Sequence, residues 1–265
     1  MHFKGKVIWI TGASSGIGKE LVYQLAKLDT IIIMTSRNRA ALELIQKDLK
    51  TQGVTCHVLT YDLMFMEEIP QLVEQAISLE GKIDAVIQCA GISQRSLGVE
   101  TDFSVYQKLM QLNYFAPVAI SQSILSHFKK NNSGNLVVIS SVAGLIGFPL
   151  RSGYAASKHA IKGYLETLQT ELYDSNITIT LVFPGRIDTA ISKNALTGTG
   201  RQAGVEDANN KVGMSVEKCA LQIIKGLKAN KKTIYIGKPE RLLFWIWWFF
   251  PKLYLKIAHK TGLKE

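Results

Sequence analysis

Only three cysteines, Cys56, Cys89 and Cys219, occur in 265 residues, an odd number at wide spacing. With no CxxC pair and no metal-ligand pattern, neither a disulfide scaffold nor a structural zinc site is expected, and a reducing compartment fits. The N-terminal MHFKGK lacks a charged stretch followed by an apolar run. No secretory signal is therefore expected there, and the expected setting is intracellular and cytoplasmic. No apolar run approaches the ~20 residues needed to cross a bilayer. Internal repeats, low-complexity stretches and long Pro/Gly-rich linkers are also missing, which leaves one large domain as the expectation for this length. Positive charge exceeds negative, 31 Lys and Arg against 21 Asp and Glu, but it is spread too thinly to mark a nucleic-acid face. The one concentration is residues 238–265, where Lys238, Arg241, Lys252, Lys256, Lys260 and Lys264 outnumber Glu240 and Glu265.

What is present is a regular alternation. Short β-branched apolar runs at 7–10, 31–35, 55–60, 84–88, 135–140, 177–183 and 233–236 read as strands. Between them, at 17–28, 38–51, 66–80, 101–130, 153–174 and 215–229, apolar residues recur at three- and four-residue spacing, as amphipathic helices require. Such alternation implies an α/β fold, a doubly wound parallel sheet of the Rossmann kind with right-handed crossovers. It would form a single catalytic domain over 1–237, followed by an apolar and basic tail over 238–265. Ligands of such sheets bind beyond the carboxyl ends of the strands, so the residues just after each strand should carry the chemistry.

After the first strand comes Thr11-Gly12-Ala13-Ser14-Ser15-Gly16-Ile17-Gly18, opening a helix. Glycines at 12 and 16 allow a tight turn and close approach to a pyrophosphate, Gly18 allows the helix to pack on the strand, and the helix N-terminus offers N–H groups to the anion. A Gly/Ser-rich turn without a ligand is the plain alternative. The stretch also satisfies G-x-S-x-G, the nucleophile elbow of a serine hydrolase using Ser14. That reading lacks a histidine where a strand-end loop would bring it to Ser14, since His57 falls in a strand, His127 and His159 in helices and His259 in the tail.

The second strand ends in Ser36-Arg37-Asn38, with no acid to grip a ribose 2′-hydroxyl. The guanidinium of Arg37 suits a 2′-phosphate, which favours NADP(H) over NAD, although Arg37 could also be a solvated residue at a helix start. Further on, Ser141 precedes Tyr154 by thirteen residues, and Lys158 follows Tyr154 at i+4 on the same helix face. A nearby ammonium is expected to favour the phenolate and bring Tyr154 towards useful acid–base chemistry, with Ser141 holding the substrate oxygen. Alone, a YxxxK pair arises often by chance.

With these elements in order, the sequence resembles the short-chain dehydrogenase/reductase family over about residues 4–237. The resemblance includes Tyr154-Ala155-Ala156-Ser157-Lys158 and Pro184-Gly185-Arg186-Ile187-Asp188-Thr189. Within the family it is most similar to membrane-associated reductases of lipid-like ketones, the dehydrogenase/reductase member 7 and 11β-hydroxysteroid dehydrogenase type 1 groups. The resemblance implies an NADP(H)-dependent oxidoreductase with Asn113, Ser141, Tyr154 and Lys158 as its catalytic set, Asn113 holding a water that links Lys158 to a proton relay. Asn113 could instead mark a helix bend. It also implies cofactor contacts from Gly12, Ser14, Ser15, Gly16, Ile17 and Gly18, from Ser36, Arg37 and Asn38, and from Tyr154 and Lys158. Asp62 and Leu63 are implied at the adenine, Ala90 and Gly91 at the ribose and nicotinamide side, and Pro184, Gly185, Ile187 and Thr189 at the nicotinamide amide. A small lipophilic carbonyl or alcohol substrate, a homodimer or homotetramer and no metal complete the expectation. One departure is visible: the family's Asn-Asn-Ala-Gly appears as Gln88-Cys89-Ala90-Gly91.

Residues 190–213, with four glycines and few large apolar side chains, read as a mobile substrate lid. The block 242–250, Leu-Leu-Phe-Trp-Ile-Trp-Trp-Phe-Phe, is too short to span a bilayer. Set among lysines, it suits a membrane interface through 242–257, or else packing over the substrate cleft or in a subunit contact. A protein that binds NADP without turning over substrate is the competing function, against which the intact Ser141, Tyr154 and Lys158 weigh.

Overall fold

The computed structural model describes residues 1–204 and 213–262. Seven strands, β1 (Val7–Thr11), β2 (Ile31–Ser36), β3 (Cys56–Thr60), β4 (Ala85–Gln88), β5 (Gly134–Ile139), β6 (Ile177–Pro184) and β7 (Thr233–Ile236), form one parallel sheet in the order β3-β2-β1-β4-β5-β6-β7. The order reverses between β1 and β4, which pair from Ile8↔Ala85 to Thr11↔Gln88, and a crevice opens beyond that point.

Both sheet faces are covered. Ile8 and Ile10 of β1 enter the core under α1 (Gly16–Ala26), α2 (Arg39–Thr51) and α7 (Val216–Lys228). Val7 and Trp9 enter the core under α3 (Ile69–Ser78), α5 (Ala116–Lys130) and α6 (Ser152–Glu171). This period-two division explains why β1 is apolar from Val7 to Ile10. The Trp9 indole N–H, fully buried, donates to Thr35 Oγ1 at 2.8 Å.

The long expected helix at 101–130 is α4 (Phe103–Met110) running into α5 through a π-helical turn at Gln111–Phe115. Beyond β7 the chain forms α8 (Lys238–Phe249) and α9 (Pro251–Gly262), with Pro251 starting the second helix. Phe244 packs on the core, and Tyr254, only 3% exposed, donates its hydroxyl to the Gly147 carbonyl. The outer surface keeps Trp248 at 62% and Phe249 at 64% exposure, with Phe250, Leu253 and Leu255 also exposed. Among the described residues, no helix is long and apolar enough to cross a membrane.

Of the expected lid, residues 205–212 lie outside the described residues, as do Lys264 and Glu265 of the tail. The described part of the lid is tied down by backbone bonds. Ala203 N donates to Ala195 O, Thr197 N to Arg201 O, and Leu196 is clasped by Ser93 O and Arg95 N, each at 2.7–2.8 Å.

Candidate active site

The reversal point opens into a cleft of about 1240 Å³ that runs from the glycine turn to α8 and α9. Its first end is backbone. Gly12 has φ +67, and a Cβ there would lie 2.7 Å from Ala90 N. Gly18 approaches differently, by contact alone: a Cβ on it would run into the Gly12 carbonyl oxygen and lie 3.2 Å from Cys89 Cβ. Gly16 instead faces only Thr189 Cγ2, at 3.4 Å. The turn is thus closed towards the sheet and open towards the cleft, and no side chain caps the start of α1. That cradle fits a pyrophosphate, which the first N–H groups of α1 would receive.

The other expected nucleotide contacts sit in the same cleft. Ser36 and Arg37 line it beside β2, Asp62 and Leu63 beside β3, Ala90 and Gly91 beside β4, and Pro184, Gly185, Ile187 and Thr189 beyond β6. Asn38 does not line it. Its Oδ1 instead accepts from Ala41 N at 3.1 Å and caps α2, the local bond that a short amide side chain makes at a helix start.

Three of the four expected catalytic side chains line the middle of the cleft. Ser141 starts a one-turn 3₁₀ segment, its Oγ accepting from Ala143 N at 3.1 Å. That segment lies flat on α6, because a Cβ on Gly144 would stand 2.7 Å from the Lys158 carbonyl oxygen. Tyr154 and Lys158 project from the same face of α6, with Lys158 Nζ 5.9 Å from the Tyr154 ring centre. Burial pushes the Tyr154 phenol above its ordinary range, opposed by a hydrogen bond with Ser141 and by the charge of Arg151. This reverses the expected direction. The phenol is not drawn down by Lys158, whose Nζ donates to Ile139 O at 3.0 Å. Burial lowers Lys158 to about 8, with Cys89 opposing. The Cys89 thiol is itself driven far up, first by burial and then by Cys219.

Asn113, the fourth expected member, stands behind this row in the π-turn and is 1% exposed. Its Oδ1 accepts from Ile92 N at 2.9 Å, while its Nδ2 donates to Ile92 O at 2.9 Å and Ser157 Oγ at 3.0 Å. The side chain therefore clamps the β4–α4 loop to α6. The departure at Gln88 is also accounted for, since Gln88 Nε2 donates to Pro117 O and Ser121 Oγ and ties β4 to α5.

Four residues escaped the sequence reading. Gln94, fully buried, accepts from Gly153 N at 2.7 Å and so fixes the start of α6. Leu150 has φ +62, a strained conformation for a branched side chain, at the wall between Pro149 and Arg151. Arg95 and Arg151 line the same wall. Against the hydrolase reading, no described histidine lines the cleft that holds Ser14. His57 meets Glu80 at 2.6 Å, and His159 bonds the Ala155 carbonyl within its own helix.

The chain was compared with known proteins. The family model for short chain dehydrogenases matches residues 6–199. A dehydrogenase/reductase SDR family protein 7-like from Anopheles gambiae is 34% identical, over 99% of this chain and 85% of that one. The human dehydrogenase/reductase SDR family member 7 is 32% identical, over 98% of this chain and 78% of that one. Among solved structures, a Burkholderia phymatum short chain dehydrogenase/reductase in complex with NAD superposes with a TM-score of 0.85 at 19% identity, covering 96% of both chains. A Sphingobium yanoikuyae short-chain dehydrogenase in complex with NADPH gives 0.76 at 24%, covering 87% of both. The fold, the order of the motifs and the near-complete match to curated relatives agree: this chain belongs to the short-chain dehydrogenase/reductase family of oxidoreductases.

Proposed function

We propose that the protein is an NADP(H)-dependent reductase of carbonyl groups on lipophilic substrates, with Tyr154 as the proton donor. The observation that carries this reading is the single cleft in which Ser141, Tyr154 and Lys158 lie between a pyrophosphate-shaped glycine turn and an apolar wall of α8 and α9. The nicotinamide, when bound, supplies the hydride. Gly12, Ser14, Ser15, Gly16, Ile17 and Gly18 would hold the pyrophosphate, Ser36 and Arg37 the 2′-phosphate, and Asp62 and Leu63 the adenine. Ala90, Gly91, Pro184, Gly185, Ile187 and Thr189 would position the nicotinamide end, and Lys158 its ribose. The exposed guanidinium of Arg37, with no acid at the end of β2, supports NADP(H) over NAD(H).

Within the cleft, Ser141 holds the substrate oxygen against the Tyr154 phenol. Because burial raises Tyr154, the phenol keeps its proton at neutral pH and can deliver it as negative charge develops on that oxygen. A protonated phenol is the form that reduction of a carbonyl requires. Asn113 fixes the loop and helix that carry this geometry, and a water held beside it would feed Lys158.

The exposed aromatic face of α8 and α9, with Lys252 and Lys256 beside it, supports peripheral contact with an anionic membrane surface. Substrate would then reach the cleft from the lipid side.

Tyr154→Phe tests the core of the reading. Ketone-dependent NADPH oxidation should fall about 10²-fold or more while NADPH binding, followed by fluorescence titration, stays within a few-fold. Turnover within a few-fold of wild type would overturn the assignment of the proton donor.

A further inference from the structure

Tyr154 stands third in α6, on a helix start that has no cap of its own. Arg151 occupies the cap position, and its side chain makes no capping bond. The first backbone N–H groups of an α-helix have no partner within the helix, and here Gly153 and Tyr154 are both buried. The acceptor comes from another segment. Gln94, in the loop between β4 and α4, accepts through Oε1 from Gly153 N at 2.7 Å and from Tyr154 N at 3.4 Å. Its Nε2 donates to Thr101 Oγ1 at 3.0 Å and Ser96 Oγ at 3.1 Å, with Ser152 Oγ at 3.4 Å as a further acceptor. The amide can face only one way, because two backbone donors require its oxygen. Gln94 is 0% exposed and is not among the residues lining the cleft, which leaves it no surface to offer cofactor or substrate.

The backbone that carries this amide is itself held. Gln94 forms a parallel bridge with Leu196, in which Leu196 N donates to Ser93 O and Arg95 N to Leu196 O, both at 2.8 Å. Ser96 N donates to the carbonyl of Leu150, the residue at φ +62 just ahead of α6. On the helix side the fit is as close. A Cβ on Gly153 would stand 2.8 Å from Leu109 Cδ1 and Tyr106 Cδ1, and 3.0 Å from Gln94 Oε1. The first turn of α6 is therefore seated between α4 and the Gln94 amide. Without that amide one wall of the seat is gone, and two buried N–H groups lose their acceptor.

We propose that Gln94 is a positioning residue for proton transfer: by capping α6 from outside the helix, it sets where the Tyr154 hydroxyl stands against the substrate oxygen. This rests on the reading of Tyr154 as the proton donor. The cap acts on the backbone of Tyr154, and the hydroxyl lies a full side-chain length away, so a tilt of the first turn moves the phenol further than it moves the backbone. A misplacement of ~1 Å at a reacting group can cost about 10²-fold. Lys158 is anchored separately, one turn along, by its bond to Ile139 O. The nucleotide contacts beyond β1 and β2 do not involve Gln94 and keep their geometry without it.

The full chain, loaded with NADPH, is assayed with 2-decanone, acetophenone and cyclohexanone as probes. In Gln94→Met, which keeps the volume and loses the amide, kcat should fall about tenfold or more while KM and the NADPH Kd stay within about threefold. Gln94→Glu keeps an acceptor for both N–H groups, and the Ser96 and Thr101 hydroxyls can turn to donate to it. Its kcat should stay within about threefold of wild type. In a Tyr154→Phe background the Gln94→Met loss should shrink to about threefold or less, because the hydroxyl that Gln94 positions is gone. Should Gln94→Met fail to fold, Gln94→Asn, one methylene short of Gly153, carries the same expectations. An unchanged kcat in Gln94→Met, an equal fall in Gln94→Glu, or an undiminished loss in the Tyr154→Phe background overturns the proposal. Tyr154→Phe that keeps its turnover overturns the proton-donor reading, and the proposal with it. Exchange of the Gly153 and Tyr154 amide hydrogens, followed by NMR, needs no turnover and should be about tenfold faster in Gln94→Met but not in Gln94→Glu. Equal exchange in wild type and both variants overturns the cap. Faster exchange in Gln94→Met alone, with no ketone reduced by the wild type, upholds the cap and overturns the reductase reading.

Discussion

At the nucleotide end the cleft wall is backbone, with Gly12 and Gly18 approaching their neighbours more closely than any side chain would allow. At the substrate end it is side chains, delivered by two helices whose outer surface is aromatic and more than half exposed at Trp248, Phe249 and Phe250. The first construction tolerates no change in volume. The second can change without disturbing the sheet, because α8 and α9 follow the last strand. On the proposed reading, cofactor binding and proton transfer belong to the core and the apolar part of substrate choice to an appendage.

Gly18→Ala should break the first end altogether. The added methyl meets the Gly12 carbonyl and not a movable side chain. NADPH binding should be lost, and stability should fall by ~1–3 kcal/mol as in other overpacked sites, measured by titration and thermal melting. Retained binding would show that the turn can shift as a unit.

Arg37→Asp tests the same end without disturbing its backbone. The NADPH-to-NADH preference in kcat/KM should fall by about tenfold or more, the order of one charge-assisted contact.

Tyr254→Ala tests the second end. It removes the buried ring and the hydroxyl bonded to Gly147, loosening α9 from the cleft. KM for a long-chain ketone should rise several-fold, while NADPH affinity and turnover of a short, water-soluble ketone hold. A loss of NADPH binding would mean that the two ends are not separable.

The smallest effect is on stability against pH. Lys158 has its pKa lowered to about 8 in the folded chain, so above that pH the folded state sheds a proton that the unfolded state keeps. Unfolding free energy contributed by this group therefore rises from about pH 8 towards the ordinary lysine range, its burial penalty being full below that window. Denaturation of wild type and Lys158→Met should show a gap that narrows as pH rises from 8 to 10.

The sheet was legible because each strand is a β-branched apolar run, and the glycine turn because its spacing names the contacts that no other residue permits. Tyr154 and Lys158 were legible only together with Ser141 and the glycine turn, since their helical spacing alone arises often by chance. The direction of the tyrosine shift was not, since it depends on how deeply α6 is buried. Arg95, Gln94 and Arg151 sit in loops that carry no period, and they meet only because Leu196 and Gly153 bring the chain back to them. Asn38 shows the opposite failure: a residue well placed in sequence is claimed by a local helix cap.

The π-turn at Gln111–Phe115 amounts to one extra residue inserted into an otherwise continuous helix. Any single deletion within it would restore an uninterrupted α-helix, which local propensity would accept without penalty. Yet each residue advances the helix by ~100°, so the deletion would swing α4 out of phase with α5 and carry Asn113 away from Ile92 and Ser157. The length of this segment is therefore as much a part of the site as the identity of its side chains. Exchange of its exposed side chains should leave the site intact, whereas shortening the turn by one residue should not.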